Sequence, residues 1–154
     1  MSRTMADPFI LDRIPHRPPF LWLDRVVEIT GETIRAEKTV PTDLDLFQGH
    51  YPQYPLMPGV LLCEAVFQAG ALLIGELSRC ETGEAEGIAE SGRMPVLTRI
   101  LGAKFKREVR PGDVLEVTAT LVERMGPAWI LKGSVRVGGK IAVQVEFACA
   151  RKGA

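Results

Sequence analysis

The stretch from Pro58 to about Cys80 limits what this chain can fold into more than any other feature. From Gly59 to Gly75 its side chains are apolar or small on every side, apart from Glu64 and Gln68, with Cys63 intermediate. Pro58 suits the first turn of a helix. A helix that is apolar all round has to be buried. Its length approaches that of a bilayer span. It is short for a span, however, and a carboxylate and an amide lie in its first half, where each is costly in lipid. Its flanks are charged and strand-like. The expectation is a core helix and no membrane span.

The rest of the chain has to supply the cover. Residues 114–122 alternate, with Leu115, Val117, Ala119 and Leu121 on one side and Glu116, Thr118 and Thr120 on the other. Residues 129–137 alternate through Trp129, Leu131, Val135 and Val137. Gly138-Gly139 reads as a two-residue hairpin loop of the primed type. Residues 140–151 return with Ile141, Val143, Val145, Phe147 and Cys149 on one face. Before them, 96–109 reads as a strand closed by the turn signal Arg110-Pro111-Gly112-Asp113. Upstream, 20–30 and 33–40 read as a hairpin about Gly31-Glu32, preceded by a short helix over 7–14 with Asp7 as N-cap. Residues 41–57 form a long loop, and 81–94 a polar one that could gate a site. The order predicts an α+β fold, a strongly curved antiparallel sheet wrapped around one long buried helix. One subunit covers the helix in part, and an exposed apolar remainder favours a dimer. At 154 residues the chain reads as a single domain, 1–154, with its core over about 10–151.

Composition removes several function classes. The formal charge is zero, so no long-range field steers nucleic acid toward the surface. Three widely spaced cysteines, Cys63, Cys80 and Cys149, are no disulfide framework. With two histidines, His16 and His50, and no paired cysteines, a zinc site of known spacing cannot be drawn. The opening residues carry no apolar run of the secretory type. A reducing cytoplasm fits this pattern, and no metal or cofactor is expected.

The chemistry concentrates in QGHYPQYPLMPGVLLCEAVFQAG, residues 48–70. His50 lies in a proline-rich loop. Glu64 and Gln68 are four apart and share one helix face. Gly59 falls at the helix N-terminus, where backbone N–H groups are free. Together these could supply a base, an acid and an oxyanion site. Each has a plainer alternative. A lone loop histidine is often structural, and Gln68 could merely satisfy Glu64. A buried carboxylate is nonetheless expensive unless neutral or paired, which favours a use. Cys63 points away from Glu64 on the helix and reads as core.

This stretch resembles the active-site signature of the 3-hydroxyacyl-(acyl-carrier-protein) dehydratases, which have the hot-dog fold. IPHRPPFLWLDRV, residues 14–26, and AKFKREVRPGD, residues 103–113, match in order, and the similarity runs from about Ile10 to Arg151. The resemblance implies dehydration of 3-hydroxyacyl thioesters to trans-2-enoyl thioesters in fatty-acid synthesis or a related lipid pathway. It implies that His50 takes the α-proton and that Glu64 helps expel the 3-hydroxyl as water. The Gly59 N–H would hold the thioester oxygen and Gln68 would orient the carboxylate. In a relative that also isomerises the double bond the carboxylate position is Asp, so Glu64 points to the plain dehydratase. The implied partners are a thioester of acyl carrier protein or coenzyme A and a second copy of the chain, as a homodimer or a trimer of dimers, with histidine and carboxylate from different subunits.

The match departs at Thr98-Arg99, where Ala-Gly is usual, at Gly102, and at Phe67, where smaller residues are usual. Phe67, Arg99 and Met57 are the candidates for shaping the acyl tunnel. Lys104, Lys106, Arg107 and Arg110 form a basic run that reads either as a docking face for an acidic carrier or as a solvated strand face. Two other functions compete: a hot-dog thioesterase, which does not need the loop histidine, and a non-catalytic acyl-binding subunit, which usually lacks one of the two site residues that this chain keeps.

Overall fold

In the computed structural model, which describes residues 6–82 and 94–151, the helix sets the plan. Helix α2, Gly59–Thr82, follows a short helix α1, Pro8–Leu11, and a hairpin of β1, Arg25–Thr30, with β2, Thr33–Thr39. Strands β3, Pro95–Phe105, β4, Val114–Met125, β5, Ala128–Val137, and β6, Lys140–Arg151, complete it. All pairings are antiparallel, in the order β1-β2-β4-β5-β6-β3. Helix α2 contacts β2 to β6. This is the hot-dog arrangement, a curved open sheet on one helix.

The alternation read from the sequence is the packing that forms. Leu115, Val117 and Ala119 from β4, Leu131 and Val135 from β5, and Val143 and Phe147 from β6 are all buried against α2. Apart from Ala119, each of these side chains contributes roughly 1.5–3 kcal/mol when fully withdrawn from water. Gly138 and Gly139 both have positive φ, 57° and 78°, which the primed turn between β5 and β6 requires. The length and composition of α2 would allow a membrane crossing, but most of its surface lies inside the fold.

Several boundaries differ from expectation. The first strand begins at Arg25, not at residue 20. Leu21, Trp22, Leu23 and Asp24 are buried, but the Trp22 N–H donates to Gln68 on the helix and the Asp24 N–H reaches Glu37 O of β2 outside the ladder, so periodicity alone misread a buried irregular segment as strand. The third strand stops at Phe105, because Lys106 and Arg107 both donate backbone N–H groups to Ala142 O and leave the ladder. The helix expected over 7–14 is the single turn Pro8–Leu11, with Asp7 accepting from the Phe9 N–H at 2.9 Å. Asp45–Gln48 form a 3₁₀ turn inside the expected loop 41–57. The proposed gating loop 81–94 lies mostly outside the described residues.

Helix α2 is not covered all round. Val60 is 70% exposed. The stripe it begins, with Leu61, Glu64 and Phe67, is only half-buried beyond it. Strand β3 is one of the two free edges of the sheet, with β1 at the other, and Val96, Leu97, Ile100, Leu101 and Phe105 are exposed on it.

Before the hairpin, Asp24 is buried and accepts from Lys38 Nζ at 3.1 Å and from the Thr39 N–H at 2.8 Å. Its removal strands a largely buried ammonium and a backbone donor. Asp24→Ala is expected to destabilise the fold by about 3 kcal/mol. Urea denaturation checks this as a lowered midpoint at unchanged slope.

Candidate active site

Glu64 and Gln68 stand one turn apart on α2, and Gln68 is the better anchored. It is 1% exposed. Its Oε1 accepts from the Trp22 N–H at 2.9 Å, and its Nε2 donates to Phe20 O at 2.9 Å. The Trp22 N–H can only donate and the Phe20 carbonyl can only accept, so the amide orientation is fixed. The remaining Nε2 hydrogen points to Glu64 Oε1 at 3.4 Å. Thus the irregular segment over 20–22, missed as such in the sequence, locks the amide that faces the carboxylate.

Glu64 has a further neighbour. His16 Nε2 lies 3.7 Å from its Oε1, with both side chains about three-quarters buried. Arg17 holds the loop carrying His16 by donating to Ile14 O, His16 O and Leu11 O at 2.7–2.8 Å. His16 and Glu64 are far apart in sequence, and no spacing marks them as neighbours. Only the Pro-His-Arg part of the resemblance touches His16.

His50 follows the 3₁₀ turn and is half-buried. Its Nδ1 is 2.9 Å from Leu56 O. A carbonyl only accepts, so Nδ1 carries the proton and Nε2 is left with its lone pair free. The Leu56 N–H donates back to His50 O at 3.1 Å, closing the loop on itself, and Tyr51 stacks on the imidazole at 4.6 Å between ring centroids. Tyr54, at the loop tip, donates to Glu108 and is covered by Arg110, while the Met57 N–H donates to Val109 O. His50 is therefore held on a pinned loop.

Gly59 opens α2, as expected. A Cβ there would come within 2.7 Å of the Phe105 ring, so only glycine lets that ring sit against the helix start. Its N–H makes no hydrogen bond among the described residues and lies where an anion is favoured. The structure joins Glu64, Gln68 and His16 in one cluster. Among the described residues it makes no hydrogen bond or ion pair between His50 and Glu64. Of the tunnel candidates, Met57 is buried. Phe67 packs edge-on against Phe147 at 4.8 Å. Arg99 is exposed on β3 at a bulge, opposite Ala148. In the basic run, Lys104, Lys106 and Arg107 are exposed without ion pairs among the described residues, whereas Arg110 pairs with Glu108 at 3.7 Å.

The FabA-like domain model matches residues 14–146. The chain belongs to the FabA-like family. It is 39% identical over 144 residues to the 3-hydroxyacyl-(acyl-carrier-protein) dehydratase FabZ of Lactococcus lactis subsp. cremoris (strain MG1363), covering 92% of this chain and 93% of that one. With the protein of the same name from Clostridium acetobutylicum (strain ATCC 824) it shares 42% identity over 139 residues, covering 90% and 92%. In fold it is similar to a chain of the dehydratase heterocomplex ApeI:P from Xenorhabdus doucetiae, with a TM-score of 0.66 and 19% identity over 92% of this chain and 90% of that one.

In this FabA-like chain burial raises the Glu64 pKa above the ordinary carboxylate value, and the Gln68 hydrogen bond only partly offsets it. A raised folded-state value means that Glu64 favours the fold while protonated and opposes it once pH rises through that value. Glu64→Gln is therefore expected to raise the denaturation midpoint at pH 7. The gain should disappear as pH falls below the ordinary carboxylate range, which a midpoint series from pH 3 to pH 8 would check.

Proposed function

We infer that this protein removes water from 3-hydroxyacyl thioesters of acyl carrier protein, giving trans-2-enoyl thioesters in fatty-acid biosynthesis. The carrying observation is the pairing of chemical states in a FabA-like chain. The tautomer of His50 leaves Nε2 as a base, and burial keeps the Glu64 carboxyl inclined to hold a proton. His50 Nε2 takes the proton from the carbon next to the thioester carbonyl. The electrons of that C–H bond form the new double bond. The C3–O bond breaks, and the leaving hydroxyl takes the Glu64 proton and departs as water. Charge grows on the thioester oxygen during this step, and in this reading the Gly59 N–H at the start of α2 receives it; one such donor is worth about 3 kcal/mol. Proton exchange with solvent returns both side chains to their starting states. Glu rather than Asp at position 64 favours dehydration without isomerisation.

The working unit is a dimer in this proposal. His50 and Glu64 do not pair within one chain, and the free edge of β3 offers unpaired backbone groups beside apolar residues. A second copy covering β3 and Val60 would bring the base of one subunit to the acid of the other. Trimers of such dimers, a cytoplasmic location and docking of the acidic carrier on Lys104, Lys106 and Arg107 belong to the same reading. Arg110 is less available, being engaged by Glu108 and Tyr54. Phe67, Met57 and Arg99 would shape the acyl tunnel.

Purified protein offered crotonoyl and 3-hydroxybutyryl thioesters on acyl carrier protein should interconvert them, followed by the ultraviolet absorbance of the enoyl thioester. His50→Ala and Glu64→Gln should each lose at least about 100-fold in kcat. Chains of the two variants refolded together should recover about a quarter of wild-type activity, because half the dimers are mixed and each mixed dimer holds one intact site. Release of free thiol without enoyl turnover would instead identify a thioesterase, and activity in a monomer would exclude the shared site.

A further inference from the structure

His16 has no part in the dehydration chemistry as derived above, yet it faces the acid. Its Nδ1 is buried and has no hydrogen-bond partner. A buried N–H left without an acceptor is rarer and more costly than an unpaired lone pair. The ring proton therefore belongs on Nε2, the atom that lies 3.7 Å from Glu64 Oε1. Gln68 already directs an N–H to that same oxygen. Two donors thus converge on Oε1, and Oε2 has no hydrogen bond among the described residues.

We propose that His16 is a positioning residue for the reaction inferred above: its Nε2–H, with the Gln68 amide, selects Glu64 Oε2 as the oxygen that carries the proton to the leaving hydroxyl and stabilises the carboxylate left behind. At 3.7 Å the two atoms are not hydrogen-bonded in this structure, and the proposal requires them to close to hydrogen-bond distance as Oε1 gains negative charge.

The charge state of His16 agrees. Burial, and then the Arg17 guanidinium, lower its pKa from the ordinary histidine value, so it faces Glu64 as a neutral donor and not as a cation. The other titratable group that faces Glu64 is Cys149 on β6, whose thiol is pushed up to about 12 by burial and by the Glu64 charge. It stays neutral over the working range. Arg17 lies on the His16 loop, with its guanidinium turned to the carbonyls of Leu11, Ile14 and His16. None of these groups competes for the change that Glu64 undergoes.

The tests separate this inference from the dehydratase reading it rests on. A donor to the carboxylate lowers the carboxyl pKa, so removing it raises that value. Activity needs Glu64 protonated and falls as pH rises through its pKa. In His16→Leu the alkaline limb of the kcat profile should move to higher pH. The kcat should fall about 10- to 100-fold with KM within about twofold of wild type, as for a group acting in the transition state. His16→Gln, which keeps a side-chain N–H, should restore the limb and most of kcat. A structural role alone would lower the yield of active protein and leave the limb where it was; that result, or full activity in His16→Leu, overturns the proposal. With two histidines in the chain, 15N-histidine spectra of the wild-type protein provide a check that needs no turnover. His16 should be the Nε2–H tautomer and His50 the Nδ1–H tautomer, told apart by the spectrum of His50→Ala. An Nδ1–H signal for His16 refutes the proposal even if the wild type dehydrates. An Nε2–H signal with no dehydration by the wild type retains the His16–Glu64 contact and refutes the reaction.

Discussion

Everything in this protein depends on how an apolar helix of 24 residues is kept from water. A flat sheet covers one side of a helix. A twisted antiparallel sheet curls and covers more. Five of the six strands touch α2, and the inward residues of β4, β5 and β6 supply most of the cover. What the sheet does not reach is the stripe from Val60 to Phe67, together with the apolar edge of β3. The fold thus leaves one coherent surface unfinished, and Glu64 lies within it. The incompleteness of the cover and the position of the acid are consequences of the same geometry.

A carboxylate on a core helix would be a liability without polar company. Gln68 provides it, and its reliability comes from elsewhere. The backbone at 20–22 fixes both ends of the amide, which leaves one N–H to spend on Glu64. Leu21 and Leu23 bury their side chains, while the Trp22 N–H between them donates to Gln68 on the helix instead of to a neighbouring strand. The segment that departs most from regular structure is therefore the one that organises the acid. His50 is organised differently. His50 is held by its own loop, through Leu56, and that loop is tied to the chain after β3 through Val109, Glu108 and Arg110. Glu64 and His50 thus sit on separate supports.

Much of this was legible in the residues. The all-round apolarity of 59–75 demanded burial, and the period-two alternation of 114–122 and 129–151 demanded a sheet with one face inward. Gly138-Gly139 named its own turn. The segment at 20–24 was misread, because a run of large apolar residues looks the same in a strand and in a buried loop. The difference lies in where the backbone N–H and C=O groups find partners, and one of those partners, Gln68, is 46 residues away. Arg110 looked like part of a free basic run, and only folding sets Glu108 and Tyr54 against it.

The sequence by itself determined the core helix, the sheet that wraps it, and the presence of His50, Glu64, Gln68 and Gly59 in one stretch. These follow from hydrophobic periodicity and local spacing, which are properties of neighbours along the chain. Only the tertiary structure decided that His16 faces Glu64, that the 20–22 backbone fixes the Gln68 amide, that burial pushes the Glu64 carboxyl above its ordinary range, and that the β3 edge stays bare. Each of these is a contact or an exposure between residues distant in sequence. Such contacts depend on the register and curvature of the sheet, which no local pattern of residue types encodes.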